Sequence, residues 1–211
     1  MAPDSDLVGV GADLEPGTLL AAYRAGLFPM GLATRRGRRQ RLGWFCPVRR
    51  GVLPLDELRV SRSLRQSTRH LHVTVDQCFE RVLLACAAPR AGQTSDEGWI
   101  TNDIAIAYTK LFELGWAHSV EVWDDSGTFA GGLYGVGVGG LFAGESMFHR
   151  VTDASKVALV HCARRLVERR FELFDTQMVT SVTSSLGAFE LPRADYLARL
   201  ASSVVRPCEF A

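Results

Sequence analysis

The sequence predicts an α+β protein, a small leading part followed by a larger mixed α/β part. Three observations predict it. Apolar residues recur at helical spacing in short blocks up to residue 114. From His118 the pattern changes to strand-like alternation around Asp124-Asp125-Ser126-Gly127, which is hairpin turn chemistry. A long amphipathic stretch, Asp153–Arg170, then precedes a short apolar run, Phe171–Asp175.

The elements follow in order. Residues 1–12 read as a loose lead-in. Asp13–Gly26 reads as a short helix, with Pro16 near its start, Leu19, Leu20 and Tyr23 on one face and Gly26 at its end. Phe28-Pro29 is expected to turn the chain. An Arg-rich loop follows, then Trp44-Phe45-Cys46-Pro47 and an extended Gly51–Leu55. Residues 61–69, 75–86 and 101–114 read as helices, with a loop over Ala87–Glu97. Thr128–Glu145 reads as one glycine-rich β stretch. In the 153–170 helix, Val157, Leu159, Val160, Ala163, Leu166 and Val167 fit a buried face. Pro192–Leu200 reads as a last short helix.

Bulk properties narrow the class. The chain has 211 residues, 47% hydrophobic and 22% charged, enough to bury a real core. No apolar run approaches the roughly 18 residues of a membrane span. The N-terminus MAPDSDLVGV carries acids where a signal peptide needs basic residues, so a cytoplasmic protein is expected. Cys46, Cys78, Cys86, Cys162 and Cys208 are scattered, odd in number and without CxxC, which argues against a disulfide framework and a structural zinc site. The net charge of +1 hides an asymmetry: residues 1–70 hold 12 Arg against 6 acids, concentrated from Arg35 to Arg69. Arginine forks well onto phosphate, so the segment suggests a polyanion partner. A solvated loop explains the same residues.

Gly135-Val-Gly137-Val-Gly139-Gly140 satisfies G-x-G-x-x-G, but that fingerprint needs a helix opening at it. Here β-like Leu141–Gly144 runs straight on, so the glycines read as relief of crowding in a twisted antiparallel strand. Glu145 follows that strand. It is either a solvated strand end or a site acid. Asp175 and Gln177 end the next strand two residues apart, so alternation puts them on one face. An acid and a carboxamide so placed either hold an amine or cap a loop.

Several segments together resemble a known family, the leucyl/phenylalanyl-tRNA–protein transferases. They are Leu19–Pro29 (LLAAYRAGLFP), Ser61–Leu64, Trp99-Ile100-Thr101, Gly115–Trp123 (GWAHSVEVW), Gly144–Phe148 (GESMF), Ala154–Leu159, Asp175-Thr176-Gln177 and Ser185–Arg193 (SLGAFELPR). The resemblance spans about Gly11 to Leu200. It implies a small N-terminal domain, residues 1–60, and a catalytic domain of acetyltransferase-like fold, residues 61–211. It implies transfer of Leu or Phe, or Met, from aminoacyl-tRNA to the N-terminal Arg or Lys of acceptor proteins, marking them for degradation. It implies no cofactor or metal, and the chain is expected to act as a monomer. Asp175 and Gln177 would hold the acceptor amine, with Gln177 orienting it and Asp175 polarising Gln177. Glu145 would receive the α-ammonium of the transferred residue. Phe142, Met147, Leu159, Cys162 and Phe174 would line its side-chain pocket, or equally be plain core. Trp99 would stack on the terminal adenine or join two domains; Tyr23 and Met30 would lie on the substrate side. Arg35, Arg36, Arg38, Arg39, Arg41, Arg49 and Arg50 would face the tRNA.

The chain departs from the family's pattern at Met30, often aromatic, at Trp44–Arg50, usually Trp-Trp-Ser-Pro-Asp-Pro-Arg, at Val182, often His, and at Asp153, usually Asn. An acyl-CoA-dependent N-acetyltransferase is the alternative. It needs a glycine-rich pyrophosphate loop opening the long helix, where this chain has Phe148-His149-Arg150-Val151-Thr152-Asp153. A non-catalytic RNA-binding module is a further reading, opposed by the joint presence of Glu145, Asp175 and Gln177.

Overall fold

The computed structural model describes residues 4–32, 41–89 and 99–211. Two sheets organise them. A three-stranded sheet has the order β1 (Leu7–Val10), β3 (Arg41–Phe45), β2 (Phe28–Leu32), all antiparallel. Helix α1 (Pro16–Arg24) joins β1 to β2. Gly26 follows its C-cap at φ +78°, the left-handed conformation glycine adopts without a Cβ clash. The lead-in therefore contains a strand, and Phe28-Pro29 opens another where a turn was expected. Proline is tolerated in β2 because β2 is an edge strand.

The larger sheet has seven strands, in the order β10 (Phe189–Pro192), β4 (Arg49–Leu53), β9 (Leu173–Gln177), β8 (Leu141–His149), β7 (Phe129–Val138), β6 (Ala117–Asp124), β5 (Leu71–Val75). The division expected after residue 60 is corrected here: β4 lies inside the larger sheet, between β10 and β9. The helix expected over 75–86 is α3 (Phe79–Ala87), starting four residues later than expected because β5 runs to Val75. The 128–145 stretch is two strands, turning at Gly139-Gly140, with Gly139 at φ +58°. Gly135 and Gly137 lie within antiparallel β7, as the strand reading of the glycine run required. A Cβ on Gly132 would come within 2.8 Å of the Val120 carbonyl oxygen, so close backbone approach demands glycine there. The Asp124 side chain accepts from the backbone N–H groups of Ser126 and Thr128, closing the predicted hairpin turn.

Helices cover both faces. Residues of α1, α3 and α4 (Asn102–Glu113) pack in one apolar cluster, including Leu19, Val82, Ile104, Leu111 and Val136. Those of α2 (Arg62–Ser67) and α5 (Ala154–Glu168) pack in another, with Leu64, Val122, Val157 and Leu166. Ser61 and Thr101 cap α2 and α4 by accepting from the backbone N–H of Leu64 and Ile104. Two further helices, α6 (Ser181–Ser185) and α7 (Arg193–Ser203), flank β10. No helix among the described residues is long and apolar enough to cross a membrane.

One pairing positions the site. All neighbours in the large sheet run antiparallel except β8 and β9, which are parallel and joined through α5. Their register matches Phe142 with Phe174 and Ala143 with Asp175, and the ladder stops there. Two residues further on each strand stand Glu145 and Gln177.

Candidate active site

A cavity of about 290 Å3 occupies the gap beyond the last β8–β9 pair. That is near the lower end of pockets that engulf small ligands, roughly 300–1,000 Å3. Gly144, Glu145, Ser146 and Met147 line it from β8, and Thr176, Gln177 and Met178 from the end of β9. Leu133, Leu159 and Phe174 add apolar lining, together with Cys86, Ala87 and Trp99. Gly51, opposite Gln177 on β4, has to be small: a Cβ there would meet the Met178 carbonyl carbon at 2.6 Å.

The parallel register brings Glu145 and Gln177 together. The Gln177 side-chain amide Nε2 donates to Glu145 Oε1 at 3.1 Å. With its nitrogen so engaged, the amide has its oxygen left to accept. The Tyr108 hydroxyl donates to Glu145 Oε2 at 3.0 Å. No Glu145 ion pair occurs among the described residues. Burial pushes the Glu145 carboxyl up to about 7, against the hydrogen bonds from Tyr23 and Tyr108 that lower it. An acid so placed titrates in the neutral range and is suited to receive an ammonium group.

Asp175 is arranged differently. It is fully buried and does not line the cavity. Arg50 Nε donates to its Oδ1 at 2.8 Å and Arg50 Nη2 to its Oδ2 at 2.6 Å. Tyr196 donates to Oδ2 at 2.8 Å, and the Gln177 backbone N–H to Oδ1 at 2.9 Å. Asp175 therefore fixes Gln177 through its main chain, while Glu145 holds the side-chain amide. The expectation that alternation sets Asp175 and Gln177 on one face is corrected by the backbone: Gln177 sits at φ +55°, which ends the strand and turns its side chain into the cavity.

Arg50 is the second correction. It was expected on the tRNA side, yet it is 1% exposed. Its guanidinium lies 4.8 Å from the Phe28 ring centroid and 4.4 Å from that of Tyr196, and it also donates to the Gly26 carbonyl at 3.0 Å. Burial alone lowers its pKa; the Asp175 carboxylate outweighs this and raises it. Arg41 and Arg49 are exposed, Arg49 within 3.2 Å of Glu190. Arg35, Arg36, Arg38 and Arg39 lie outside the described residues.

Of the residues expected around the transferred side chain, Met147, Leu159 and Phe174 line the cavity with Trp99. Phe142 and Cys162 do not. Phe142 is packed among Phe171, Phe174 and Phe210, and Cys162 is buried in the α5 cluster. Tyr23 and Met30 are not in the cavity wall either: Tyr23 is 1% exposed, with its hydroxyl hydrogen-bonded to that of Tyr108, and Met30 packs against the core from β2. Sequence reasoning missed Tyr108, Tyr196, Leu133, Cys86 and Thr176. Tyr108 carried a signal, since it shares the buried stripe of α4 with Ile104 and Leu111, and a buried tyrosine hydroxyl needs a partner.

Known proteins resemble this chain along most of its length. Residues 52–201 match the family described as leucyl/phenylalanyl-tRNA protein transferase, and residues 12–48 match that family's N-terminal domain. A leucyl/phenylalanyl-tRNA–protein transferase of Afipia carboxidovorans is 47% identical over 201 residues, covering 94% of this chain and 86% of the relative. Those of Rhodospirillum rubrum and Stutzerimonas stutzeri are 48% and 49% identical, covering 90% and 95% of this chain and 88% and 86% of the relatives.

Proposed function

Because the chain belongs to the leucyl/phenylalanyl-tRNA–protein transferase family, we propose that its cavity transfers an amino acid, Leu or Phe, from aminoacyl-tRNA to the N-terminal amine of a protein. The observation that carries this reading is the Glu145–Gln177 contact at the head of an apolar pocket. Glu145 receives the α-ammonium of the donor residue, whose side chain enters the pocket between Met147, Leu159 and Phe174. Gln177 offers its amide oxygen to the acceptor amine and aims it at the ester carbonyl.

The chemistry asks little more of the protein. The donor is an activated ester, so amide formation runs downhill. The α-amino nucleophile has a reference pKa of about 7.7–8.0, so a useful fraction is neutral at physiological pH. The amine nitrogen attacks the ester carbon, the C–O bond to the ribose breaks, and the amine's proton leaves to the ribose oxygen or water. Holding both groups in place supplies much of the acceleration. Asp175 does not touch either substrate in this scheme; with Arg50 it positions Gln177.

The donor pocket separates side chains mainly by size, and one methylene is worth only about 1–3 kcal/mol, so Met is also accepted. Trp99 stacks on the terminal adenine. Exposed Arg41 and Arg49 belong to the surface that meets the tRNA. Acceptors begin with Arg or Lys, and the product is a cytoplasmic protein marked for degradation. The larger sheet, with antiparallel strands leading into the parallel β8–α5–β9 unit, is read as acetyltransferase-like. The stretch from Phe148 to Asp153 offers no glycine-rich loop for a pyrophosphate, which disfavours acyl-CoA as donor.

One assay tests the proposal. Leu-tRNA or Phe-tRNA is mixed with the protein and peptides beginning in Arg, Lys or Ala, and products are read by mass spectrometry. Addition of Leu or Phe to the Arg and Lys peptides, without ATP, is expected. Acetylation from acetyl-CoA with no aminoacyl transfer would overturn it.

A further inference from the structure

Behind Glu145, on the side away from Gln177, two tyrosine hydroxyls form a chain that reaches the N-terminal helix. Tyr108 of α4 donates to Glu145 Oε2, and the Tyr23 hydroxyl of α1 is hydrogen-bonded to that of Tyr108. Both side chains are buried, at 0% and 1% exposure. An ionised carboxylate only accepts, so Tyr108 gives its single proton to Glu145, and Tyr23 then donates to Tyr108. Each bond in such a chain polarises the next. The Tyr108 ring is held edge-on to Tyr134, with centroids 5.5 Å apart.

Glu145 is thus clamped between two neutral donors, one oxygen on Gln177 and the other on Tyr108. We propose that Tyr108, backed by Tyr23, is a positioning residue for aminoacyl transfer: its hydroxyl fixes the Glu145 carboxylate, and through it the Gln177 amide, in the orientation that receives the two amino groups. This rests on the transfer reading of the cavity. A hydroxyl serving only the core would end on a backbone carbonyl or another buried group. This chain ends on the acid that lines the cavity.

The electrostatics agree. Among the described residues, the groups acting on Glu145 are Tyr23 of α1, Tyr108 of α4, Asp175 and Gln177 of β9 and Arg50 of β4; Tyr134 of β7 senses its charge. Hydrogen bonds from both Tyr23 and Tyr108 favour the ionised acid against its burial. Removing the Tyr108 hydroxyl therefore raises the Glu145 pKa, and the acid limb of activity moves to higher pH.

The test compares wild type, Tyr108→Phe, Tyr23→Phe and the double variant, each as the full chain. Transfer rates are measured from pH 5.5 to 9, and the Glu145 carboxyl is titrated by carbon-13 NMR without substrate. Tyr108→Phe is expected to lower kcat by about ten- to a hundredfold, as loss of a hydrogen bond to a charged group does, and to shift both the acid limb and the NMR midpoint upward. Tyr23→Phe should shift both in the same direction, and the double variant should shift them at least as far as Tyr108→Phe. A folded Tyr108→Phe with wild-type kcat and an unmoved acid limb would overturn the proposal. If Tyr108→Phe does not fold, Tyr23→Phe decides: a raised Glu145 midpoint supports the chain, and an unchanged one refutes it. If wild type transfers nothing, the transfer reading fails by itself, and the NMR midpoints still decide whether Tyr108 governs Glu145.

Discussion

Two carboxylates stand two residues past and at the same parallel pair, and their surroundings are opposite. Asp175 sits in the last β8–β9 pair, wholly buried, with a bidentate arginine, a tyrosine hydroxyl and a backbone N–H on its two oxygens. Glu145 sits at the cavity, with two neutral donors and, among the described residues, no ion pair. The first acid is saturated and has nothing left for a substrate. The second has no ion-pair partner among the described residues, and in the proposed scheme an arriving ammonium supplies one. The difference separates an acid locked into the frame of the sheet from one that faces the cavity.

The sharpest way to break that comparison is to strip Asp175 of its partner. Arg50→Ala leaves a buried, uncompensated carboxylate, and losing one member of a buried pair costs about 3–5 kcal/mol. Asp175→Asn should be nearly as harmful, because it leaves the Arg50 guanidinium buried between Phe28 and Tyr196 without its countercharge. Urea unfolding measures both. A loss under about 1 kcal/mol in Arg50→Ala would mean that the pair is solvated and that Asp175 is free to meet substrate.

The converse holds at the cavity. Gln177→Ala should lower turnover by roughly ten- to a thousandfold, the range of a lost transition-state contact. It should leave tRNA affinity unchanged, because in the proposed scheme the side chain serves the attacking amine. Single-turnover rates beside tRNA binding curves separate the two. An equal loss in both would move Gln177 from the acceptor side to the donor side.

Sequence reading reached different depths at these two acids. Local pattern left Glu145 and Gln177 open between a site role and a strand end or loop cap, and only the family's motifs singled them out; Glu145 in fact lies inside β8, where pairing with β7 continues past it. The partner of Asp175 was not legible: Arg50 lies 125 positions away, in a basic run that reads as solvated. Its burial follows from the β4–β9 pairing, which no local pattern encodes. The fold divides in the same way. Helices α1, α4 and α5 were announced by apolar period and end signals, so their bounds fell close. Strands β1 and β2 were missed because they are short, and β2 contains a proline that only its edge position permits. Glycine-rich β7 and β8 merged into one stretch because Gly139-Gly140 resembles the glycines within the strand.

A smaller effect comes from the charge that Glu145 itself carries. Its pKa is raised from 4.5 unfolded to about 7 folded. The folded state then binds the proton more tightly, so wild-type stability is highest below the unfolded value and falls as pH rises through the folded one. Glu145→Gln removes that dependence. Relative to wild type it should be stabilised on the order of 2 kcal/mol above neutral pH and show no gain below pH ~4.5. It should also lose donor binding. Thermal unfolding across pH 4–8 checks the first part. A parallel pH profile for wild type and variant would show that Glu145 is solvated and that Tyr108 holds nothing under strain.

The smallest effect expected is at Arg49, and it isolates burial from residue type. Arg49 and Arg50 are neighbours in one strand, and alternation sends their side chains to opposite faces. Arg50 enters the core. Arg49 stays 58% exposed beside a Glu190 that is 46% exposed, at 3.2 Å. An ion pair that open to water contributes about 0–1 kcal/mol. Arg49→Ala should therefore shift stability by less than about 1 kcal/mol, where Arg50→Ala costs several times more. If Arg49 meets a phosphate of the bound tRNA, its removal should also reduce the slope of log affinity against log salt by roughly 1. Turnover of a minimal aminoacyl-adenosine donor, which lacks the tRNA body, should stay at the wild-type level. Filter binding across salt concentrations, beside turnover of the minimal donor, reads both. A drop in minimal-donor turnover as large as the loss of tRNA binding would place Arg49 with Arg50 in support of the site, and the two faces of β4 would no longer divide tRNA contact from catalytic support.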